Sequence, residues 1–320
     1  MPNILLTNHY EGLPLEILMH QIPSGYQLEV LEQATQECLL QKAGNADYFL
    51  VSGRLKITNE VLSKAKKLKM IQRTGVGTDV FDMKALKSKN IPLYVNQGVN
   101  AQSVAEHTIL LILACLKRLT VINNNVKNGI WQKQEQGLST FELHGKTVGL
   151  IGLGNIGKRV AEFLNAFGAN VLYYDIFCTD TAGSISVQSV ALEELFSRCD
   201  IISLHCPLTV QTKGIINKSS IEKMKDGVII VNTARGALIN TSDLLEGIKS
   251  KKVAFAGLDV YEEEPVNNAE LFMQKNIITT PHIGGVSYDS FHAMMHRAVE
   301  NIVLFESGKF DEIERYKYAY

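Results

Sequence analysis

Between residues 147 and 280, six short apolar runs recur in order: TVGLI (147–151), NVLYY (170–174), DIISL (200–204), VIIVN (228–232), AFAGL (254–258) and NIITT (276–280). Each is too short for a helix, is bounded by turn residues, and is followed by a stretch with helical character. Strands that alternate with helices pair in parallel, because the crossover needs a dozen or more residues to return. Six such strands amount to two mononucleotide-binding halves, the doubly wound α/β arrangement. The intervening helices carry their own punctuation. SSIEKMKDG, for example, is expected to begin at its serine and to end before Gly227.

The first hundred residues show the same alternation less regularly. Apolar runs end in turn residues in NILLTN, ADYFLVSG, LKMIQRTGVG and IPLYVNQG, with helix-like stretches such as TNEVLSKAKKL between them. From Asn100 the segment NAQSVAEHTILLILACLKRL reads as one long helix, with an apolar face broad enough to be buried between two domains. A chain of 320 residues suits two such domains.

Composition excludes several partners. The formal net charge is -1 and no basic stretch is interleaved with aromatics, so neither nucleic acid nor an anionic membrane is an expected partner. The opening MPNILLTNHYEG lacks the charged and apolar regions of a signal peptide, and the longest apolar run, Ile109 to Leu116, is eight residues and cannot span a bilayer. Five scattered cysteines (Cys38, Cys115, Cys178, Cys199 and Cys206) form no CxxC pair, which suits reduced thiols in the cytoplasm.

The residues just past the six strands read GLGNIG, Asp175, HCPLT, TARG, DVYEEEP and PHIGG. In an open parallel sheet these carboxyl ends face the crevice where ligands bind. GLGNIG places glycines at Gly152, Gly154 and Gly157 at a strand-to-helix turn. Gly152 permits the tight turn, Gly154 the approach of a pyrophosphate, and Gly157 close packing of helix on strand. The next strand ends in Asp175, eighteen residues past Gly157, where an acid accepts from ribose hydroxyls and repels a 2′-phosphate. Ile176, Phe177 and Cys178 supply no cation for such a phosphate, so NAD is expected over NADP. Gly152 to Lys158 also fits the start of an NTPase phosphate loop, but Arg159 stands where Ser or Thr must bind Mg²⁺.

Arg235 and His282 sit at two of the remaining strand ends. Alone, the first could be a surface ion pair and the second a satisfied loop histidine. Together they meet the needs of 2-keto acid reduction, which requires a cation for the carboxylate and an acid for the developing alkoxide. A carboxylate near His282 would favour its protonated form, and the run Glu262, Glu263, Glu264 offers one.

These motifs in combination (RTGVGTDVFD, GLIGLGNIG with Asp175, HCPLT, VNTARGALI, GLDVYEEEP and TPHIGG) resemble the D-isomer-specific 2-hydroxyacid dehydrogenases over nearly the whole chain. The resemblance implies an NAD-dependent oxidoreductase interconverting a D-2-hydroxy acid and its 2-keto acid. It implies two Rossmann-like or flavodoxin-like domains, with an NAD domain (100–283) inserted in a substrate domain (1–99 with 284–320) and the active site in the cleft between them. The catalytic set carries over to Arg235, Glu264 immediately before Pro265, and His282, with Glu262 and Glu263 left as solvated neighbours. Substrate contacts carry over to Gly75, Val76 and Gly77 through backbone N–H groups, together with Arg235 and His282. Cofactor contacts carry over to Gly152, Gly154, Asn155, Ile156, Gly157, Asp175, His205, Cys206, Pro207, Thr233, Ala234, Arg235, Asp259, His282 and Gly284. A homodimer is also implied.

A second class stays open, a dinucleotide-sensing corepressor of the same fold, because such proteins can retain the Arg–Glu–His set. A formate dehydrogenase is disfavoured, since those relatives have glutamine where Glu264 stands. Long-form phosphoglycerate dehydrogenases carry a C-terminal regulatory domain, which is not expected here because the chain stops about forty residues after His282. The substrate's side chain is open: Arg54 and Arg73 could meet a phosphate or second carboxylate, or lie on the surface. His292 and His296 are four apart on a helix without a third ligand, so no metal is expected. Cys206 reads as packing, His107 and Glu106 as helix surface, and Trp131 as a cover for the cleft or as packing.

Overall fold

The computed structural model describes residues 1–177 and 185–319, so Cys178 lies outside the described residues. The chain divides into two compact units, Met1–Asn100 with Val286–Tyr320, and Ala101–Gly285.

The first unit is built on β1 (Asn3–Leu6), β2 (Gln27–Val30), β3 (Tyr48–Val51), β4 (Met70–Arg73) and β5 (Leu93–Val95). Their order is β2-β1-β3-β4-β5 and every neighbouring pair is parallel, the flavodoxin-like winding. Alternate side chains feed two cores. Ile4 and Leu6 of β1 join one cluster with Tyr48 and Leu50, while Leu5 joins another with Phe49 and Val51. Helix Tyr288–Glu306 covers the first of these faces with Met294, Met295, Ala298, Val299 and Ile302. Strand β2 was not foreseen. It is an edge strand whose QLEV residues are half-buried or exposed, so no apolar run marks it.

The second unit is built on β6 (Thr147–Ile151), β7 (Asn170–Tyr174), β8 (Gln188–Ser189), β9 (Ile201–Leu204), β10 (Val228–Asn232), β11 (Val253–Leu258) and β12 (Ile277–Thr279). Their order is β12-β11-β10-β9-β6-β7-β8, again parallel throughout. The strand order reverses between β6 and β9, which is the switch point of a doubly wound sheet. All six expected strands form, but they are not two halves of three. The third strand of the first half is the exposed two-residue β8, and NIITT supplies a seventh strand at the opposite edge.

Helix Ala101–Leu116 packs Ala105, Ile109, Ile112 and Cys115 against Val148, Leu150, Ile229 and Val231. The apolar face expected to lie between domains is therefore used on this unit's own sheet. The helix ends sooner than its sequence suggests, because Arg118 takes a left-handed φ of 50° before a second helix, Leu119–Lys127. Helix Lys218–Lys223 starts one residue earlier than expected. Asn217 is the cap and Ser220 closes a capping box with it.

Candidate active site

At the switch point, Gly152 has a φ of 103°, and a Cβ there would stand 2.7 Å from the backbone of His205 and Cys206. The turn after β6 and the loop after β9 thus meet backbone to backbone, which only glycine allows. A Cβ at Gly157 would lie 2.3 Å from the Gly152 carbonyl oxygen, so helix Asn155–Ala166 seats directly on the turn. Gly154 differs. A Cβ there would meet nothing within 4 Å, and no side chain caps the helix it begins. The first-turn N–H groups at Asn155 and Ile156 with the positive end of the helix dipole suit a pyrophosphate. Asp175 accepts from Leu153 N–H (2.7 Å) and Phe177 N–H (2.8 Å), which fixes its carboxylate beside this turn. These residues fit a dinucleotide.

Two strands along from β6, Gly236 makes a tighter contact: a Cβ there would fall 1.8 Å from the carbonyl carbon of Tyr261. The loops after β10 and β11 are therefore pressed together, and with them Arg235 and Glu264. Buried Asn232 shapes the Arg235 turn, accepting from Ala234 N–H (3.0 Å) and donating to the Arg235 carbonyl (2.9 Å). The Arg235 guanidinium donates to the Ala234 carbonyl at 2.7 Å. Glu264 accepts from Tyr261 N–H through Oε1 (2.9 Å), and its Oε2 lies 2.9 Å from His282 Nδ1. The Glu264 side chain is 12% exposed and that of His282 41%, so the carboxylate is sheltered and the imidazole reaches outward. His282 itself holds a left-handed φ of 57°.

Residues 109–284 match the family model described as D-isomer specific 2-hydroxyacid dehydrogenase, NAD binding domain. Hydroxypyruvate reductase of Thermotoga maritima is 41% identical over 280 residues, covering 86% of this chain and 90% of that protein. D-3-phosphoglycerate dehydrogenase of Archaeoglobus fulgidus is 39% identical over 93% of this chain, which spans only 56% of that relative's length. The crystal structure of D-lactate dehydrogenase from Aquifex aeolicus with NAD and lactic acid superposes with a TM-score of 0.85 at 30% identity, covering 98% of both chains. The chain belongs to the D-isomer-specific 2-hydroxyacid dehydrogenase family.

In this 2-hydroxyacid dehydrogenase family member, several of the expected contact residues also have partners within the chain. Asp259, expected to meet the cofactor, is 1% exposed. It accepts from the Thr280 hydroxyl (2.6 Å), Ile283 N–H (2.9 Å) and Gly284 N–H (2.8 Å), with His107 Nε2 at 3.5 Å. Three donors hold the carboxylate, and two of them come from the residues just after His282. Asp259 therefore anchors the loop that presents the histidine. Gly284, also expected at the cofactor, is buried, and its carbonyl accepts from the Ser103 hydroxyl at 2.7 Å. His107 is not a surface residue: its Nε2 donates to the Thr280 hydroxyl at 2.9 Å, since that hydroxyl's proton is given to Asp259. Glu106 is exposed and accepts from Gln102.

The Thr233 hydroxyl is paired with that of Thr108 at 2.9 Å rather than turned outward. His205 stacks its Nε2 on the Ser203 hydroxyl (2.9 Å), and burial pushes its pKa down to about 3, so the ring is neutral. Burial likewise raises the Cys206 thiol to about 11, which suits packing rather than chemistry. Glu263 is exposed, while Glu262, expected to be wholly solvated, also takes Thr241 N–H (3.3 Å) at a helix start. Trp131 is 80% exposed.

In the first unit, Val76 is exposed, and the N–H groups of Gly75, Val76 and Gly77 donate to no group among the described residues. Arg73 donates to the Gly53 carbonyl at 2.8 Å and so braces a loop, whereas Arg54 is exposed. His296 bonds Gln21 (3.0 Å) and His292 rests on the Tyr288 ring, so the helical pair has separate partners. Sequence reasoning missed Asn232, Tyr261, Thr280 and Gly236. Only Asn232 had a local signal, an asparagine closing a strand and bonding two residues on.

Proposed function

We propose that this chain is an NAD-dependent oxidoreductase that interconverts a small D-2-hydroxy acid and its 2-keto acid. The observation that carries this reading is the 2.9 Å contact between Glu264 Oε2 and His282 Nδ1, on the sheet edge that also carries the dinucleotide turn. NAD, when bound, supplies or accepts the hydride. His282 commits Nδ1 to Glu264 and so presents Nε2. In reduction Nε2–H gives its proton to the developing alkoxide, and in oxidation neutral Nε2 takes the hydroxyl proton. The sheltered Glu264 carboxylate orients the ring. Arg235 holds the substrate carboxylate and polarises the adjacent carbonyl. In the first unit, the N–H groups of Gly75, Val76 and Gly77 form a nest suited to a substrate carboxylate.

NADH consumption with glyoxylate, hydroxypyruvate, pyruvate, oxaloacetate and 3-phosphohydroxypyruvate tests this directly. Turnover with at least one is expected, and none above background with any would leave the dinucleotide-sensing corepressor reading in its place. A cytoplasmic location agrees with Cys38, Cys115, Cys199 and Cys206 all being free thiols. No helix among the described residues is long and apolar enough to cross a membrane. A homodimer is supported by exposed apolar side chains at Leu110, Leu119, Trp131 and Leu138. Light scattering at micromolar concentration should give twice the 35.5 kDa chain mass, and a monomer would refute the dimer.

A further inference from the structure

The first unit contains a chain of three buried amides with no part in the chemistry above: Gln72 on β4, Asn96 just past β5, and Asn301 on helix Tyr288–Glu306. Asn301 Nδ2 donates to Gln72 Oε1 at 3.1 Å. Gln72 Nε2 donates to Asn96 Oδ1 (3.0 Å) and to the Arg73 carbonyl (2.8 Å). Asn96 Nδ2 in turn donates to the Thr74 carbonyl (3.0 Å) and the Met294 carbonyl (2.8 Å), while Asn96 N–H takes the Gly75 carbonyl (3.0 Å). Both side-chain protons of Gln72 and of Asn96 are thus used, which also settles which way each amide is turned.

The consequence falls on one loop. Two successive carbonyls, those of Arg73 and Thr74, are drawn inward by these side-chain amides, and that of Gly75 by the Asn96 backbone N–H. A trans peptide unit is planar, with its N–H opposite its C=O. Drawing in the carbonyls of Thr74 and Gly75 therefore turns the N–H groups of Gly75 and Val76 the other way. Those are the N–H groups that donate to nothing among the described residues. Asn301 Oδ1 has no partner, but the amide donors of Gln72 and Asn96 are all used, and breaking any of these links strands a buried donor or acceptor.

We infer that Asn96, held in place by Gln72 with Asn301 behind it, is a positioning residue whose side chain aims the Gly75 N–H, and whose backbone N–H aims that of Val76, at the substrate carboxylate. This rests on the reading of that loop as the carboxylate nest. Asn96→Asp sets a carboxylate oxygen against the Thr74 and Met294 carbonyls, and Gln72→Met removes both donors at similar length. For each, KM for the best 2-keto acid and the inhibition constant of oxamate should rise about tenfold, roughly the worth of one lost charge-assisted hydrogen bond. Both kcat and the Kd for NADH, measured by its fluorescence, should stay within about twofold. A purely structural role would lower Tm and leave KM alone, and that result in either folded variant overturns the inference. In the wild-type protein saturated with NADH, the Gly75 and Val76 amide resonances should move when oxamate is added. If they stay put, the carboxylate reading of the loop is what fails, and the inference goes with it. If they move while KM in the variants does not, the loop reading stands and the positioning role is refuted.

Discussion

The two sheets have kindred windings but differ at their carboxyl edges. In the seven-stranded sheet that edge carries ionisable side chains: Asp175 after β7, Arg235 after β10, Asp259 and Glu264 after β11, and His282 after β12. In the five-stranded sheet the loop after β4 is governed by neutral, fully buried amides that act on backbone carbonyls. In the proposed function, side-chain charge does the chemistry on one edge, and backbone geometry set by amides presents donors on the other. Variants on the first edge should therefore move kcat, and variants on the second should move KM.

The largest effect is expected at His282. His282→Gln keeps the size but removes the acid, and kcat should fall by about 10²–10⁴-fold, as is typical when a general acid is lost. Arg235→Gln should follow at about 10²–10³-fold in kcat/KM, through lost carbonyl polarisation. Glu264→Gln should lower kcat less, because His282 loses the carboxylate that orients its ring. Glu263→Gln should leave kcat unchanged, and equal kcat values for the two variants would break the pairing argument. Asp175→Ala should weaken NADH by about tenfold in a fluorescence titration, the cost of a lost charged hydrogen bond.

The smallest effect concerns stability in the amide-rich unit. The Tyr48 hydroxyl donates to Glu306, and Lys69 Nζ lies 3.0 Å from both its oxygens, which together hold the carboxyl below its ordinary 4.5. A depressed carboxylate stabilises the fold above its unfolded value and loses that contribution as pH falls through the folded one. Glu306→Gln should lower Tm modestly at pH 7, and the gap to wild type should close below about pH 4.5. A gap independent of pH would mean that the cluster acts by packing alone.

How much of this could be read beforehand follows from the range of the interactions. Strands β6, β7 and β10 begin and end where their apolar runs do, since a strand buried on both faces is a local pattern. The edge strands β2 and β8 are not, because an exposed edge imposes no hydrophobicity. Glu264 and His282 could be paired from motifs eighteen residues apart, and the loops do bring them together. The commitments of Asp259 could not be anticipated, because His107, whose Nε2 lies 3.5 Å from it, is 152 positions away (259 − 107) and looks like any residue on a helix face. The same holds for Asn96 and Met294, 198 apart, and for Gln72 and Asn301, 229 apart. Contacts of that span leave no trace in spacing.

Gly236 and Gly154 are both bare, yet for opposite reasons. At Gly154 the missing side chain leaves space that a ligand can enter, so an alanine there would be a competitor for a binding partner. At Gly236 the space is already taken by the Tyr261 backbone, so an alanine would compete with the protein itself and part the loops that carry Arg235 and Glu264. A library that varies both positions should therefore separate by assay. Variants at 154 should lose nucleotide affinity while still folding, and variants at 236 should retain nucleotide affinity but have cation and acid at the wrong spacing.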